Sequence, residues 1–265
     1  MQKRLTIIVL VAVSLFLAGC SALAVQPEET TAPSTTKSFE RTSNSFTLTI
    51  EDAKSDNYQH VATTLRDSGR IQEYVAYLNT QVTLDKQVPI TFKECNEQAA
   101  YYDFARKDIT ICYEAIDRWE TLFARKYNNK AQTQEALVGA TVFILAHESG
   151  HATMDINDIP FTGKEEDAAD QFATYMLTRE SDFGEQAALY GGEIFLLQGE
   201  DEGQLPLWGE HSLDEQRYYT IMCWVYGEDN DHKYLQTSGK LPKKRAERCE
   251  REYKQLTHSW NELTQ

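Results

Sequence analysis

The segment from Gln134 to Thr153 limits the fold more than any other part of this 265-residue chain. It is an apolar run, with Val138 to Ala146 almost uninterrupted, and His147, Glu148 and His151 are set into its end. Its length and apolarity predict a long helix buried by its neighbours. Residues at i and i+4 share one helix face, about 5–6 Å apart at Cβ, so His147 and His151 point the same way. Two imidazoles and a carboxylate carried into an interior without partners are costly to desolvate. The expectation is that they line the inside of a cleft, not a free surface.

His147-Glu148-Ser149-Gly150-His151 is a His-Glu-x-x-His pattern. Two imidazoles on one helix face can bind one zinc ion. Glu148 is rotated off their line, too far round to ligate the same ion, yet within reach of a water beside it. That is the position of a general base. Downstream stands Glu165-Glu166-Asp167-Ala168-Ala169-Asp170. Glu166 and Asp170 are again i and i+4, on one face of the next helix. Glu165 is a rival third ligand, but its i+4 partner is Ala169, which breaks the register.

On these residues the chain resembles the gluzincin metallopeptidases, whose second helix carries Glu-x-x-x-Asp. It is closer still to the Glu-x-x-Ala-Asp form of the prenyl-protease-like membrane endopeptidases and their small soluble relatives. The resemblance implies His147, His151 and Glu166 as zinc ligands, Glu148 as catalytic base, and Asp170 as the residue that orients a ligating histidine. The small Ala169 would let the two helices approach closely. His211 stands six residues before Arg217, similar to a His-Pro-x-x-x-x-Arg segment of the same group, with Ser212 in place of the proline. There the histidine faces the metal, as an inhibitory extra ligand or beside the oxyanion. His211 is equally compatible with a surface histidine at a helix start, and Arg217 with a structural ion pair.

Segments from Cys95 to Glu114, the motif helix, the run from Glu165 to Phe172 and His211 to Gly227 also resemble a bacterial lipoprotein family that is metallopeptidase-like by description only and of unknown function. Members usually have Leu where Ser149 stands. In gluzincins a sheet edge facing the zinc aligns an extended substrate, and Ile109–Tyr113 is the candidate edge on that resemblance.

The rest of the chain places this domain. Lys3 and Arg4 precede an apolar run over 5–17, too short for a membrane span and suited to a secretory signal. Leu17-Ala18-Gly19-Cys20 resembles the lipobox of bacterial lipoproteins, which implies cleavage before Cys20 and a lipid anchor on its thiol. Residues 20–45 then read as a flexible tether, rich in Thr, Ser, Pro and Glu, and 46–265 as one metallopeptidase-like domain. Without residues 1–19 the chain keeps 24 basic against 41 acidic residues, a formal charge of −17, which argues against nucleic acid as a partner. Of five cysteines, Cys20 goes to lipid, leaving Cys95, Cys112, Cys223 and Cys249. An even number in an exported chain suggests two disulfides. Three connectivities are possible, and nearness in sequence favours Cys95–Cys112 with Cys223–Cys249.

Strands are expected at 46–50, 88–92 and 109–113, and helices over 57–81 with a break at Ser68-Gly69, then at 114–127, 134–153, 165–179, 183–198, 213–226 and 242–262. The fold class is α+β, a helix-dominated zincin-like domain of minigluzincin type with a small sheet. His60, His232 and His258 read as exposed, and Trp208 as core packing or a cleft wall. The leading reading is a zinc-dependent endopeptidase of the cell envelope, one Zn2+ per chain, acting on a peptide or protein substrate. A zinc-stabilised lipoprotein that binds or chaperones envelope proteins without cutting them is the alternative, and a zinc scavenger is a third.

Overall fold

The computed structural model describes residues 45–202, 206–229 and 231–264; the expected signal, Cys20 and all but the last residue of the expected tether lie outside the described residues. Four strands form one sheet in the order β1 (Phe46–Ile50), β2 (Val88–Lys93), β4 (Asp108–Cys112), β3 (Ala100–Asp103). The first three are parallel and β3 is antiparallel to β4. The helices are α1 (Gln59–Ser68), α2 (Arg70–Gln81), α3 (Tyr113–Lys126), α4 (Lys130–Ile156), α5 (Glu165–Thr178), α6 (Asp182–Glu202), α7 (Asp214–Glu228), the short α8 (Tyr234–Thr237) and α9 (Lys243–Ala246), and α10 (Cys249–Leu263). The class is α+β with helix dominant.

Gly69 ends α1 in the left-handed region, φ 68°, where L side chains are strained, and so splits the 57–81 segment in two. Helix α4 is the axle. Asn129 caps it by accepting from the Gln132 N–H at 3.2 Å. It contacts the sheet edge, α3, α5 and α6, and Ala136–Met154 are buried throughout. This burial all round explains a sequence that is apolar on every face. Among the described residues no helix is long and apolar enough to cross a membrane.

Two close approaches set the site. A Cβ on Gly150 would stand 3.1 Å from the Phe172 ring and 3.3 Å from Ala169 Cα. Gly150 and Ala169 thus let α4 and α5 come together at the motif. The Cys95–Cys112 disulfide closes a loop that contains β3, and Cys223–Cys249 ties α7 to the start of α10.

Several expectations are corrected. Ile109–Tyr113 is not an edge: β4 lies between β2 and β3, and β3, a short strand between polar stretches, is the edge nearest α4. Residues 242–262 are not one helix. The chain turns between Ala246 and Cys249, where Cys249 reaches across to Cys223 and its carbonyl packs on Gly227. His232 is buried, because Glu185 of α6 gives its Nε2 a partner at 2.8 Å. Trp208 is 89% exposed and packs in no core. His60 and His258 are exposed as expected.

Candidate metal centre and cleft

The face of α4 carrying His147 and His151 meets the start of α5. His147 Nε2 lies 3.2 Å from His151 Nε2 and 3.1 Å from Glu166 Oε2, and His151 Nε2 lies 3.6 Å from Glu166 Oε1. Each ring is turned this way by the bond at its other nitrogen. His147 Nδ1 faces Asp170 Oδ1 at 2.9 Å, and His151 Nδ1 faces Glu165 Oε1 at 2.9 Å. With Nδ1–H donated to a carboxylate, Nε2 is left as a lone-pair donor. Two lone pairs facing at 3.2 Å repel, so the pair needs a proton or a cation between them.

A cation fits. Zinc bonds of about 2.0–2.2 Å at tetrahedral angles place neighbouring donors about 3.3–3.5 Å apart, and the three observed separations bracket that value. His147, His151 and Glu166 form a group able to hold a metal ion. Glu165, the rival ligand, stands behind His151.

The surrounding carboxylates favour positive charge at this point, whether a proton or a metal cation. Burial disfavours a charged His147, yet its bonds to Asp170 and Glu166 raise its pKa to about 9. Burial opposes ionisation of Glu166 and Asp170 as well. The three histidines around Glu166, and Arg217 beside Asp170, hold both carboxyls well below the usual range. Arg217 makes a two-pronged pair with Asp170, Nε to Oδ2 and Nη2 to Oδ1, both at 2.8 Å. Its guanidinium also stacks on the Phe195 ring at 3.5 Å. The carboxylate–arginine pair was not readable from spacing, since 47 residues separate the partners.

Glu148 is buried and has no place in the ligand cluster. Burial raises its pKa, and the Tyr102 backbone N–H that faces it acts the other way. That N–H locates β3. The Cys112 N–H donates to Ala99 O, and the Lys107 N–H to Asp103 O. Alternate residues of an antiparallel strand bond to the same neighbour, so Ala100 and Tyr102 turn their backbone groups to the free edge, towards Glu148.

Two adjoining hollows meet at Ala100, His147, Glu148 and His211. One, about 270 Å³, is walled by Trp119, Ile144 and Phe195; the other, about 380 Å³, by Tyr101, Phe104 and Glu210. His211 enters from the loop before α7, its Nε2 2.9 Å from Glu166 Oε2. Lys164 holds that loop by donating to the Gly209 and His211 carbonyls. A wider hollow, about 580 Å³, lies against the far side of Asp170 and Arg217 and shares none of the histidines.

Compared with known families, residues 50–264 match the one described as "Putative metallopeptidase". No curated protein and no solved structure gives a significant match. The match spans most of the chain, and the chain belongs to that family.

Proposed function

We propose, starting from that membership, that the protein is a zinc-dependent endopeptidase of gluzincin type, held at the bacterial cell envelope by a lipid on Cys20. The observation that carries this is the convergence of His147 Nε2, His151 Nε2 and the Glu166 carboxylate beside an unligated, buried Glu148. Zinc bound there supplies Lewis acidity, making a water nucleophilic near neutral pH and polarising a scissile carbonyl.

The residues then have distinct tasks. Glu148 takes the proton of the attacking water at its carboxylate and hands it to the leaving amine. Burial, which raises its pKa, favours holding that proton between the two steps. Asp170, fixed by Arg217, keeps the His147 ring in its Nε2-inward orientation. His211, whose Nε2 faces Glu166, has the task of offering a ring N–H to the developing oxyanion. An extended substrate pairs along the β3 edge with the backbone groups that Glu148 does not engage, its side chains entering the two hollows.

The alternative, a non-catalytic zinc-stabilised lipoprotein, draws support from the His211–Glu166 contact, which puts a further donor beside the cluster. One experiment separates them. Metal content and cleavage of denatured casein are measured for the protein, Glu148→Gln and Glu166→Ala. The peptidase reading expects about one zinc per chain in the parent and in Glu148→Gln, cleavage by the parent alone, and loss of metal in Glu166→Ala. Cleavage persisting in Glu148→Gln would overturn the mechanism. Zinc bound without any cleavage would favour the binding protein.

A further inference from the structure

Tyr102 does two things at once. Its backbone N–H faces Glu148, and its hydroxyl donates to Asp155 Oδ2 at 2.6 Å. Asp155 is on α4, one helical turn beyond His151. The same oxygen receives Lys107 Nζ, from the turn that joins β3 to β4. Two donors from the hairpin therefore converge on one carboxylate of the motif helix. Phe104 packs edge-on against both Tyr102 and His151, with centroids 5.1 and 6.2 Å away, and extends the same contact.

Lys107 supplies a second, independent observation. Its φ is 61°, in the left-handed region, where a residue with a Cβ is strained and glycine is at ease. The turn alone has no use for a lysine. The ammonium on Asp155 is what the side chain contributes, and strain of this kind persists where surrounding contacts over-determine it. Burial opposes the charge on Asp155, but Lys107 and Tyr102 hold its carboxyl below the usual range, while burial and Asp155 keep the Tyr102 hydroxyl protonated. The Tyr102 hydroxyl and the Asp155 carboxylate thus keep their roles as donor and acceptor across the physiological range.

We infer that Asp155 is a positioning residue: by clasping Tyr102 and Lys107 it sets the distance between the substrate-pairing edge β3 and Glu148, and so the width of the cleft. The Cys95–Cys112 disulfide closes the loop that contains β3, and the Asp155 clasp is a non-covalent hold on the cleft side, beside the Phe104–His151 packing. The inference rests on the peptidase reading for its catalytic consequence, but the mechanical claim stands apart from it.

The test uses the full chain with Asp155→Asn, Tyr102→Phe, Lys107→Gly and the pair Tyr102→Phe/Asp155→Asn. Lys107→Gly removes the cation while relieving the backbone, so a defect there does not come from added backbone strain. Amide exchange followed by mass spectrometry is expected to quicken about tenfold over residues 99–108 in each variant and to stay unchanged in 139–149. With casein peptides, KM is expected to rise about five- to tenfold with kcat within about twofold, as for lost uniform binding. The double variant should be no worse than Asp155→Asn alone. Unchanged exchange over 99–108 overturns the clasp. Quickened exchange with KM unmoved overturns its role at the cleft. A parent that binds zinc and cuts nothing would count against the peptidase reading, while the exchange result still decides the clasp.

Discussion

His147 and His151 share a helix face and meet at their Nε2 atoms, but the groups behind them belong to different environments. Behind His147 stands Asp170, itself held by Arg217, with side chains 4% and 7% exposed. Behind His151 stands Glu165, its side chain 31% exposed, at the start of α5 and on the wall of the open hollow. The same chemical device, a carboxylate on Nδ1, is built once into the interior and once at the surface. In a low-dielectric interior a charge pair is strong, and an uncompensated charge is expensive; at the surface, water and salt weaken both. The buried side should therefore govern folding and ligand orientation, and the exposed side should only trim them.

The hardest test of this contrast is Arg217→Met. It leaves Asp170 buried with His147 as its remaining partner. Breaking one half of a buried pair costs about 3–5 kcal/mol, on the order of 10 °C in Tm for a domain of this size. Arg217→Met combined with Asp170→Leu should lose less than Arg217→Met alone, because the orphaned charge is then gone. Urea denaturation of the three proteins checks both. A loss below about 1 kcal/mol in the single variant would mean that His147 neutralises Asp170 unaided, and the interior side would lose its special standing.

Asp170→Asn asks the narrower question of orientation. The amide keeps the shape and can still accept from His147 Nδ1–H through its oxygen, but its NH2 then confronts the Arg217 guanidinium. Loss of such a partner typically lowers metal affinity about 10- to 100-fold. Zinc competition with a chromophoric chelator measures it.

How far these residues were legible in the sequence depends on the range of their interactions. His147, Glu148 and His151 were readable because i,i+4 geometry lies within one helix. Glu166 and Asp170 followed from the same rule on the next helix. Arg217 was picked out as a position six residues after His211, yet its bond to Asp170 spans 47 residues and belongs to tertiary packing. Strand β3 escaped for a similar reason. Ala100–Asp103 is four residues long, and what makes it a strand is pairing with β4, not its own pattern. Assigning the edge to Ile109–Tyr113 followed from that omission. Asp155 and Lys107 carried no signal, since a lysine at positive φ looks like any surface lysine until the backbone is traced. His232 shows the converse: its burial depends on Glu185 from another helix.

The smallest expected effect completes the comparison. Glu165→Gln keeps an oxygen that can accept from His151 Nδ1–H, and the lost charge is partly in water. Zinc affinity should fall no more than about fivefold, in line with exposed ion pairs worth under about 1 kcal/mol, and the deficit should shrink between 0.05 and 0.5 M salt, where screening over a few ångströms sets in. Both readouts come from the chelator competition used for Asp170→Asn. A fall well beyond that of Asp170→Asn, independent of salt, would be the behaviour of a residue bonded to the metal. It would make Glu165 a ligand in place of Glu166, move the coordinating register by one residue along α5, and leave Glu166 free to bind His211 alone. The two histidines would then be backed on one side only.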